Sequence, residues 1–256
     1  MSAQLEDIAS LLGQSPDFRV LRRLQPHDVF SQSQCEQPLV GVVLDSETTG
    51  LDLDKAEVIE LAMLKFLYTP DGEVLRVIGK FDELRQPAHP IPAEITALTG
   101  ITDEMVAGHS INPAAVEAFV ADVAIVIAHN ARFDRPIAEK AWPVFKNLDW
   151  ACSLDEIPWR EHGFEGSKLA YLLMGAGLFT DAHRASGDPR LRCRFALRSQ
   201  GSVESARLPL VQRDERSSSL LVARRRRARP RGRTRVPARQ RLPAPGRSAD
   251  AAHHRP

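Results

Sequence analysis

Four runs dominated by apolar residues, each bounded by polar or turn-forming residues, predict β-strands. They cover residues 39–44, 58–67, 74–81 and 123–128, and compact apolar runs of this length are typical of buried strands. Thr69-Pro70-Asp71-Gly72 lies between the second run and the third and has the composition of a hairpin turn.

Helices are predicted between and after these strands. A short helix is expected around residues 93–98, and Asn112 followed by Pro113 indicates the start of another, because proline fits the first helical position. A further helix follows the fourth strand directly and extends through Lys140. Three early strands followed by alternating helix and strand indicate an α/β fold, a mixed β-sheet flanked by helices.

Two apolar stripes at helical spacing precede the first strand and predict short helices. The stripes consist of Leu5, Ile8, Leu11 and Leu12, and then of Val20, Leu21 and Leu24. Pro26 and the polar stretch 31–37 end this pattern. We therefore expect residues 1–37 to form a short helical appendage, with a domain boundary near residue 37.

Charge separates the chain into two parts, although the 256 residues together have a formal net charge of only +1. Residues 1–188 contain 15 Lys and Arg against 29 Asp and Glu, whereas residues 189–256 contain 19 Arg, no Lys and four acidic residues. The second part also lacks Ile, Met, Asn, Trp and Tyr, so it cannot bury enough apolar surface to offset the entropy of ordering. We expect a folded body over residues 1–188 and a disordered, Arg-rich tail after it.

Composition also excludes several classes of protein. No run approaches the roughly 20 apolar residues of a membrane span, and the N-terminus carries acids where a signal peptide carries basic residues. Cys35, Cys152 and Cys193 lie far apart and form no CxxC pair, which argues against a disulfide scaffold or a zinc module. The sequence therefore predicts a cytoplasmic protein without a membrane partner. It does not predict an oligomeric state.

Asp45 and Glu47 end the first predicted strand and form the first candidate site. Residues two apart on a strand face the same side, so both carboxylates are expected to point to one place. Two carboxylates close together in a buried site need protons or cations between them, and the end of a central strand is where α/β sheets form ligand crevices. The alternative is that both acids only make a loop more soluble.

Asp134 follows the fourth strand in the same way and lies in the first turn of the next helix. In the alternative interpretation Asp134 only complements the helix N-terminus, and Phe133 is a core residue. His183 lies five residues before Asp188, and such a pair offers a base and a metal ligand together. A single His–Asp pair also arises often by chance.

Taken in order, these elements resemble the DnaQ-like 3′–5′ exonucleases, the DEDD nucleases with a histidine base. The motifs are D-x-E-T-T-G at 45–50, H-N-x-x-F-D at 129–134 and H-x-x-x-x-D at 183–188. The resemblance runs from about Leu39 to Asp188 and takes in residues 58–62 and 92–102. The family includes the proofreading subunit of the bacterial replicative polymerase. It implies a ribonuclease-H-like fold and an exonuclease domain over residues 38–188.

The resemblance also implies a reaction, the metal-dependent release of nucleoside 5′-monophosphates from single-stranded 3′ ends, with DNA favoured over RNA. The implied ligands of two divalent ions, Mg²⁺ or Mn²⁺, are Asp45, Glu47, Asp134 and Asp188. Oxygen ligands suit such hard ions, and two ions about 4 Å apart can stabilise the attacking and the leaving oxygen. By the same resemblance Asp45 bridges the ions, and His183 is the general base.

Four further residues match family positions close to the substrate. Thr48 and Thr49 correspond to residues that meet the terminal nucleotide, although local hydroxyl–backbone bonds in a turn explain them equally well. Asn130 and Phe133 are the other candidate substrate-binding residues, and His129 beside them is expected to be structural. The implied partners are single-stranded 3′ ends and a DNA polymerase.

One feature departs from the family, which continues past its final aspartate as a helix. Here Pro189 follows Asp188 directly and disfavours a helical backbone at that aspartate. An alternative function is therefore an impaired nuclease fold that binds nucleic acid or a polymerase. Residues 189–256 could be an arm that binds nucleic acid, a tail without a role, or an out-of-frame translation product. We favour the third, because the composition changes abruptly where a helix should continue.

Overall fold

The computed structural model describes residues 2–25 and 27–180, together with two short strands at 211–212 and 221–222. The chain divides into two units, residues 1–223 and 224–256, and all described residues belong to the first. His183 and Asp188 lie outside the described residues, as does most of the predicted tail.

A mixed five-stranded sheet forms the centre of the fold, as predicted. Its strands are β2 (Leu39–Thr48), β3 (Val58–Tyr68), β4 (Val74–Leu84), β5 (Ile125–Ala128) and β6 (Trp150–Cys152). They lie in the order β4-β3-β2-β5-β6. Strand β3 is antiparallel to both β2 and β4, whereas β5 is parallel to both β2 and β6. Three residues are too few to show a period, which is why the sequence did not predict β6.

Short strands outside this sheet form two further pairs. Strand β1 (Arg22–Arg23) lies parallel to β7 (Leu178–Phe179), and β8 (Val211–Gln212) lies antiparallel to β9 (Leu221–Val222).

The helices flank the sheet, and several begin where the sequence predicts. They are α1 (Ser2–Gly13), α2 (Ala93–Thr99), α3 (Asp103–Val106), α4 (Pro113–Val120), α5 (Ala131–Ala141) and α6 (Leu169–Gly175), with a 3-10 helix at Pro143–Asn147. The predicted cap of α4 is present, since the Asn112 side chain accepts a hydrogen bond from the backbone N of Ala114. Among the described residues, no helix is long and apolar enough to cross a membrane.

The predicted hairpin turn between β3 and β4 is also confirmed. The backbone N of Thr69 donates to Glu73 O at 2.9 Å, and Gly72 N donates to Thr69 O at 2.8 Å. Gly72 has a φ of 95°, a conformation that glycine adopts without steric cost. The turn fixes the pairing of the two longest strands.

The core lies on both faces of the sheet because the side chains of β2 alternate. Val42 and Leu44 belong to a cluster that includes residues of α4 and α5, whereas Val43 packs with Leu64 and Phe66 in a second cluster. The strand that carries the candidate acids is therefore buried on both sides up to Leu44.

The N-terminal prediction is correct for the first stripe and wrong for the second. Helix α1 is present, but the stripe at residues 20–24 contains strand β1 instead of a helix. Backbone N of Arg22 and Leu24 donate to Gly177 and Phe179 at 2.9 Å each. This long-range pairing satisfies backbone groups that a local helix would otherwise satisfy. The boundary near residue 37 stays a prediction.

Candidate active site

Strand β2 extends beyond its parallel neighbour β5, and this overhang carries the first two candidate acids. The last residue of β2 that pairs with β5 is Val43, whereas β2 continues to Thr48. Asp45 and Glu47 therefore lie past the paired region, where helix α5 begins directly after β5. Both acids thus lie at the carboxyl end of β2, beside the carboxyl end of its parallel neighbour β5, which is where crevices form in such sheets.

Asp134 lies beside the overhang of β2 and is bonded to it. Its Oδ1 accepts hydrogen bonds from the backbone N of Ser46 at 3.2 Å and from Ser46 Oγ at 2.8 Å. Only 5% of Asp134 is exposed. A carboxyl group in the first turn of α5 is thus joined to the segment between Asp45 and Glu47.

The pKa of Asp134 responds to both neighbouring acids. Burial, which is the largest cause, and repulsion from the carboxylates of Asp45 and Glu47 together raise the pKa of Asp134 to about 8. The two hydrogen bonds from Ser46 act in the opposite direction, because they favour the ionised form. The site therefore holds more negative charge than it can keep ionised without a proton or a cation.

The donor set fits hard divalent cations. It consists of carboxylate oxygens, which Mg²⁺ and Mn²⁺ prefer, and a cation would relieve the repulsion that raises the pKa of Asp134. Within residues 2–25 and 27–180, no group of three or more His, Cys, Asp or Glu side chains is close enough to form a metal site by itself. The fourth predicted ligand, Asp188, and the predicted base, His183, lie outside the described residues.

The two threonines after Glu47 are bonded within their own loop. Thr48 is buried, and its Oγ1 donates to Gly50 O at 2.7 Å. Thr49 N donates to Glu57 O at 2.9 Å, and Thr49 Oγ1 accepts from Glu57 N at 3.0 Å. These are the local hydroxyl–backbone bonds of the alternative interpretation, so a role in substrate binding stays a prediction.

The remaining candidates lie at the start of α5. Asn130 is exposed, has a φ of 83°, and its side chain makes no capping hydrogen bond. Phe133 is half-buried and packs against the core cluster that contains α4 and α5 residues. Its backbone N donates to Asn130 O at 2.8 Å. Phe133 thus has a core role, as its alternative interpretation predicts, and its contact with substrate stays a prediction.

Sequence reasoning missed Ser46, which binds Asp134, and Ser153, which binds His129. The Nδ1 atom of His129 lies 3.0 Å from Ser153 Oγ, and burial lowers the pKa of this histidine. Neither serine carries a local signal, because its partner lies 88 or 24 residues away along the chain.

The family model for exonucleases, RNase_T, matches residues 42–193 of this chain. The matched segment contains the overhang of β2, the start of α5, and both His183 and Asp188. It begins after α1 and β1 and ends close to the point where the composition of the chain changes.

Parts of bacterial DNA polymerases are similar in sequence. The PolC-type DNA polymerase III of Halalkalibacterium halodurans is 41% identical over 96 residues, which are 36% of this chain and 6% of that protein. The PolC-type enzyme of Listeria monocytogenes is 38% identical over 102 residues, or 39% of this chain and 7% of the relative. The chain thus covers less than a tenth of the length of these relatives.

Solved structures of exonuclease I share the fold. A structure of exonuclease I that addresses its processivity, and E. coli exonuclease I in complex with a dA16 oligonucleotide, each give a TM-score of 0.51 at 16% identity. Each match covers 67% of this chain and 42% of the other. The fold is therefore ribonuclease-H-like, as the resemblance implied. Because the family model matches more than half of the chain and includes all three motifs in order, the chain belongs to the exonuclease family.

Proposed function

We propose that this exonuclease removes nucleotides from the 3′ end of single-stranded DNA. The observation that carries the proposal is the buried carboxyl group of Asp134 beside Asp45 and Glu47, at the carboxyl ends of two parallel strands. A cluster of acids that cannot all stay ionised alone is suited to divalent cations and a phosphodiester.

The proposed ligands of two Mg²⁺ or Mn²⁺ ions are Asp45, Glu47, Asp134 and Asp188. Such ions supply positive charge that stabilises the attacking and the leaving oxygen of an in-line displacement. Ser46 holds Asp134 in place through two hydrogen bonds, so the third ligand is oriented by the strand that carries the first two. Asp188 is assigned from its position in the third motif.

His183 is proposed as the general base, which takes a proton from the attacking water. The water oxygen forms a bond to phosphorus, and the bond from phosphorus to the 3′ oxygen of the preceding nucleotide breaks. The products are a nucleoside 5′-monophosphate and a strand shortened by one nucleotide with a 3′ hydroxyl. Thr48, Thr49, Asn130 and Phe133 are proposed to contact the terminal nucleotide.

Substrate and partner are inferred from the relatives. E. coli exonuclease I has been solved with a DNA oligonucleotide, which supports single-stranded DNA as the substrate. The similar segments of PolC-type proteins belong to DNA polymerases, which supports a role in proofreading beside a polymerase. The chain covers 42% of the exonuclease I chain and less than a tenth of the PolC-type proteins, so both the substrate and the partner are part of the proposal.

The test is digestion of a 5′-labelled single-stranded DNA by the full chain, with Mg²⁺, with Mn²⁺ and with EDTA. Asp45→Ala removes a proposed ligand, and Asp7→Ala, in the exposed part of α1, is the matched control. We expect a ladder of shortened products for the wild type and for Asp7→Ala, and none for Asp45→Ala or in EDTA. A 5′-labelled RNA of the same sequence tests the preference for DNA.

An intact band in every reaction would reject the exonuclease proposal. The impaired nuclease fold would then be favoured, provided that the chain still retards the labelled strand in a gel. Equal digestion by Asp45→Ala and the wild type would instead reject the assignment of the site.

A further inference from the structure

A single side chain of α5 holds the loop that follows the first motif. Lys140 Nζ donates hydrogen bonds to the backbone oxygens of Leu53, Asp54 and Ala56 at 3.2, 2.7 and 3.4 Å. An ammonium group has three donor hydrogens, so these three bonds match its donor capacity. We name residues 49–57, which connect β2 to β3, the motif loop.

The motif loop is closed by its own backbone at two places. Thr49 and Glu57 exchange two hydrogen bonds at its base. Lys55 N and Ala56 N donate to Asp52 O at 3.1 and 2.7 Å and form a tight turn in its middle. The three oxygens that Lys140 binds belong to this turn and to the residues beside it, and a charged donor makes a stronger hydrogen bond to a carbonyl oxygen than a neutral one.

Helix α5 therefore contacts the end of β2 and the motif loop at once. Its first turn carries Asp134, which binds Ser46 on β2. Lys140 lies six residues later, about 9 Å farther along the helix axis, and binds the motif loop. Thr48 and Thr49 lie between these two attachment points.

We propose that Lys140 is a positioning residue for substrate binding, an inference that rests on the proposed function. It holds the motif loop in the conformation in which Thr48 and Thr49 meet the terminal nucleotide. Without the ammonium group, substrate must order the loop on binding, and that cost appears as weaker affinity. The three hydrogen bonds of Lys140 go to backbone oxygens of the motif loop, so we expect the variant to change binding and not the chemical step.

The test compares Lys140→Met with Lys146→Met. Methionine keeps an unbranched apolar stem and removes the charge, and Lys146 is an exposed lysine of the neighbouring 3-10 helix. For a 5′-labelled single-stranded DNA, we expect Lys140→Met to raise KM about tenfold with kcat within about twofold of the wild type. Lys146→Met should match the wild type in both constants.

Two further measurements separate positioning from a general structural role. Amide hydrogen exchange of the motif loop, without substrate, should be faster in Lys140→Met and unchanged in Lys146→Met. Lys140→Arg keeps a charged donor, so it should recover most of the affinity. The thermal midpoints of all three variants should lie close together, because Lys140 is exposed.

Unchanged KM and unchanged loop exchange in Lys140→Met would overturn the inference, and so would a fall in kcat at constant KM. The dissociation constant for the same strand in EDTA is measured in parallel. If the wild type binds but does not digest DNA, the proposed function fails, and a tenfold weaker binding by Lys140→Met still supports the positioning role. Equal binding by both would reject that role as well.

Discussion

Two regions carry or precede the residues of the proposed site, and they differ in the structure that holds them in place. Asp45 and Glu47 lie on β2, a ten-residue strand in the five-stranded sheet, and Asp134 lies where α5 meets that strand. Residues 157–180, the described segment that precedes His183, contain the short elements α6 and β7. We refer to the first as the sheet-end region and to residues 157–180 as the C-terminal approach.

The C-terminal approach depends on residues that precede the family match. Leu24 packs in a small cluster with Trp159, Leu172 and Leu173, and β1 supplies the parallel partner of β7. Arg19 adds a hydrogen bond from its guanidinium to Met174 O at 2.6 Å. The family model begins at residue 42. The sheet-end region therefore lies entirely within the matched residues, whereas the C-terminal approach packs against residues 19–24, which precede them.

The largest expected effect lies in the sheet-end region, at Asp134. Asp134→Asn keeps the shape of the side chain but removes a proposed ligand and its charge. We expect hydrolysis of single-stranded DNA to fall about a hundredfold or more. Initial rates over a range of Mg²⁺ concentrations measure this effect. Activity restored by excess Mg²⁺ would show that Asp134 contributes to metal affinity alone.

The same variant should be more stable than the wild type when metals are absent. The folded-state pKa of Asp134, about 8, lies above its ordinary value of 3.8, so the folded chain binds more protons than the unfolded chain between these limits. The wild type therefore loses stability as pH rises from about 4 to 8, and asparagine does not. Urea unfolding in EDTA should show an advantage of a few kcal/mol for the variant at pH 8, and a smaller one at pH 5. An equal difference at both values would contradict this assignment.

The second effect tests the C-terminal approach. Leu24 is 4% exposed, so Leu24→Ala should cost about 2–4 kcal/mol of unfolding free energy through the lost contacts and the cavity. Because the affected cluster precedes His183, the rate of hydrolysis should also fall at temperatures where the variant is folded. Leu5→Ala, at a position 62% exposed on α1, is the control. Unfolding curves and rates equal to those of the control would show that the C-terminal approach does not need the side chain of Leu24.

The sequence predicts the sheet-end region better than the C-terminal approach. The turn at 69–72, the cap at Asn112 and the strands β2 to β5 have local signals, and the structure confirms them. Alternation along β2 predicts one face for Asp45 and Glu47, and both carboxylates act on the pKa of Asp134. The pairing of β1 with β7 joins Arg22 to Leu178, 156 positions apart, and no local pattern encodes such a partner. The stripe at residues 20–24 was therefore interpreted as a helix.

A third prediction concerns Gly41, in the part of β2 that pairs with β5 and precedes the sheet-end region. A Cβ atom there would lie 2.4 Å from Cζ of Phe66, which is fully buried. Gly41→Ala should therefore destabilise the chain by about 1–3 kcal/mol, because the ring must move within a packed core. Gly13→Ala, where nothing lies within 4 Å, is the matched control for chemical denaturation. Equal midpoints for the two variants would show that the second core cluster has room to adjust.

The smallest effect is expected for removal of residues 1–13. Leu5, Ile8 and Leu11 are largely exposed on α1, and the ion pair between Glu6 and Arg22 lies at the surface, where such pairs contribute about 0–1 kcal/mol. The shortened chain should therefore melt within about 2 °C of the full chain and digest DNA at the same rate. Removal of residues 1–25, which also takes β1 and Leu24, should reproduce or exceed the loss seen in Leu24→Ala. If both deletions destabilise the chain equally, α1 supports the C-terminal approach. If neither does, residues 157–180 hold their structure without the N-terminal residues, and the contrast between the two regions is wrong.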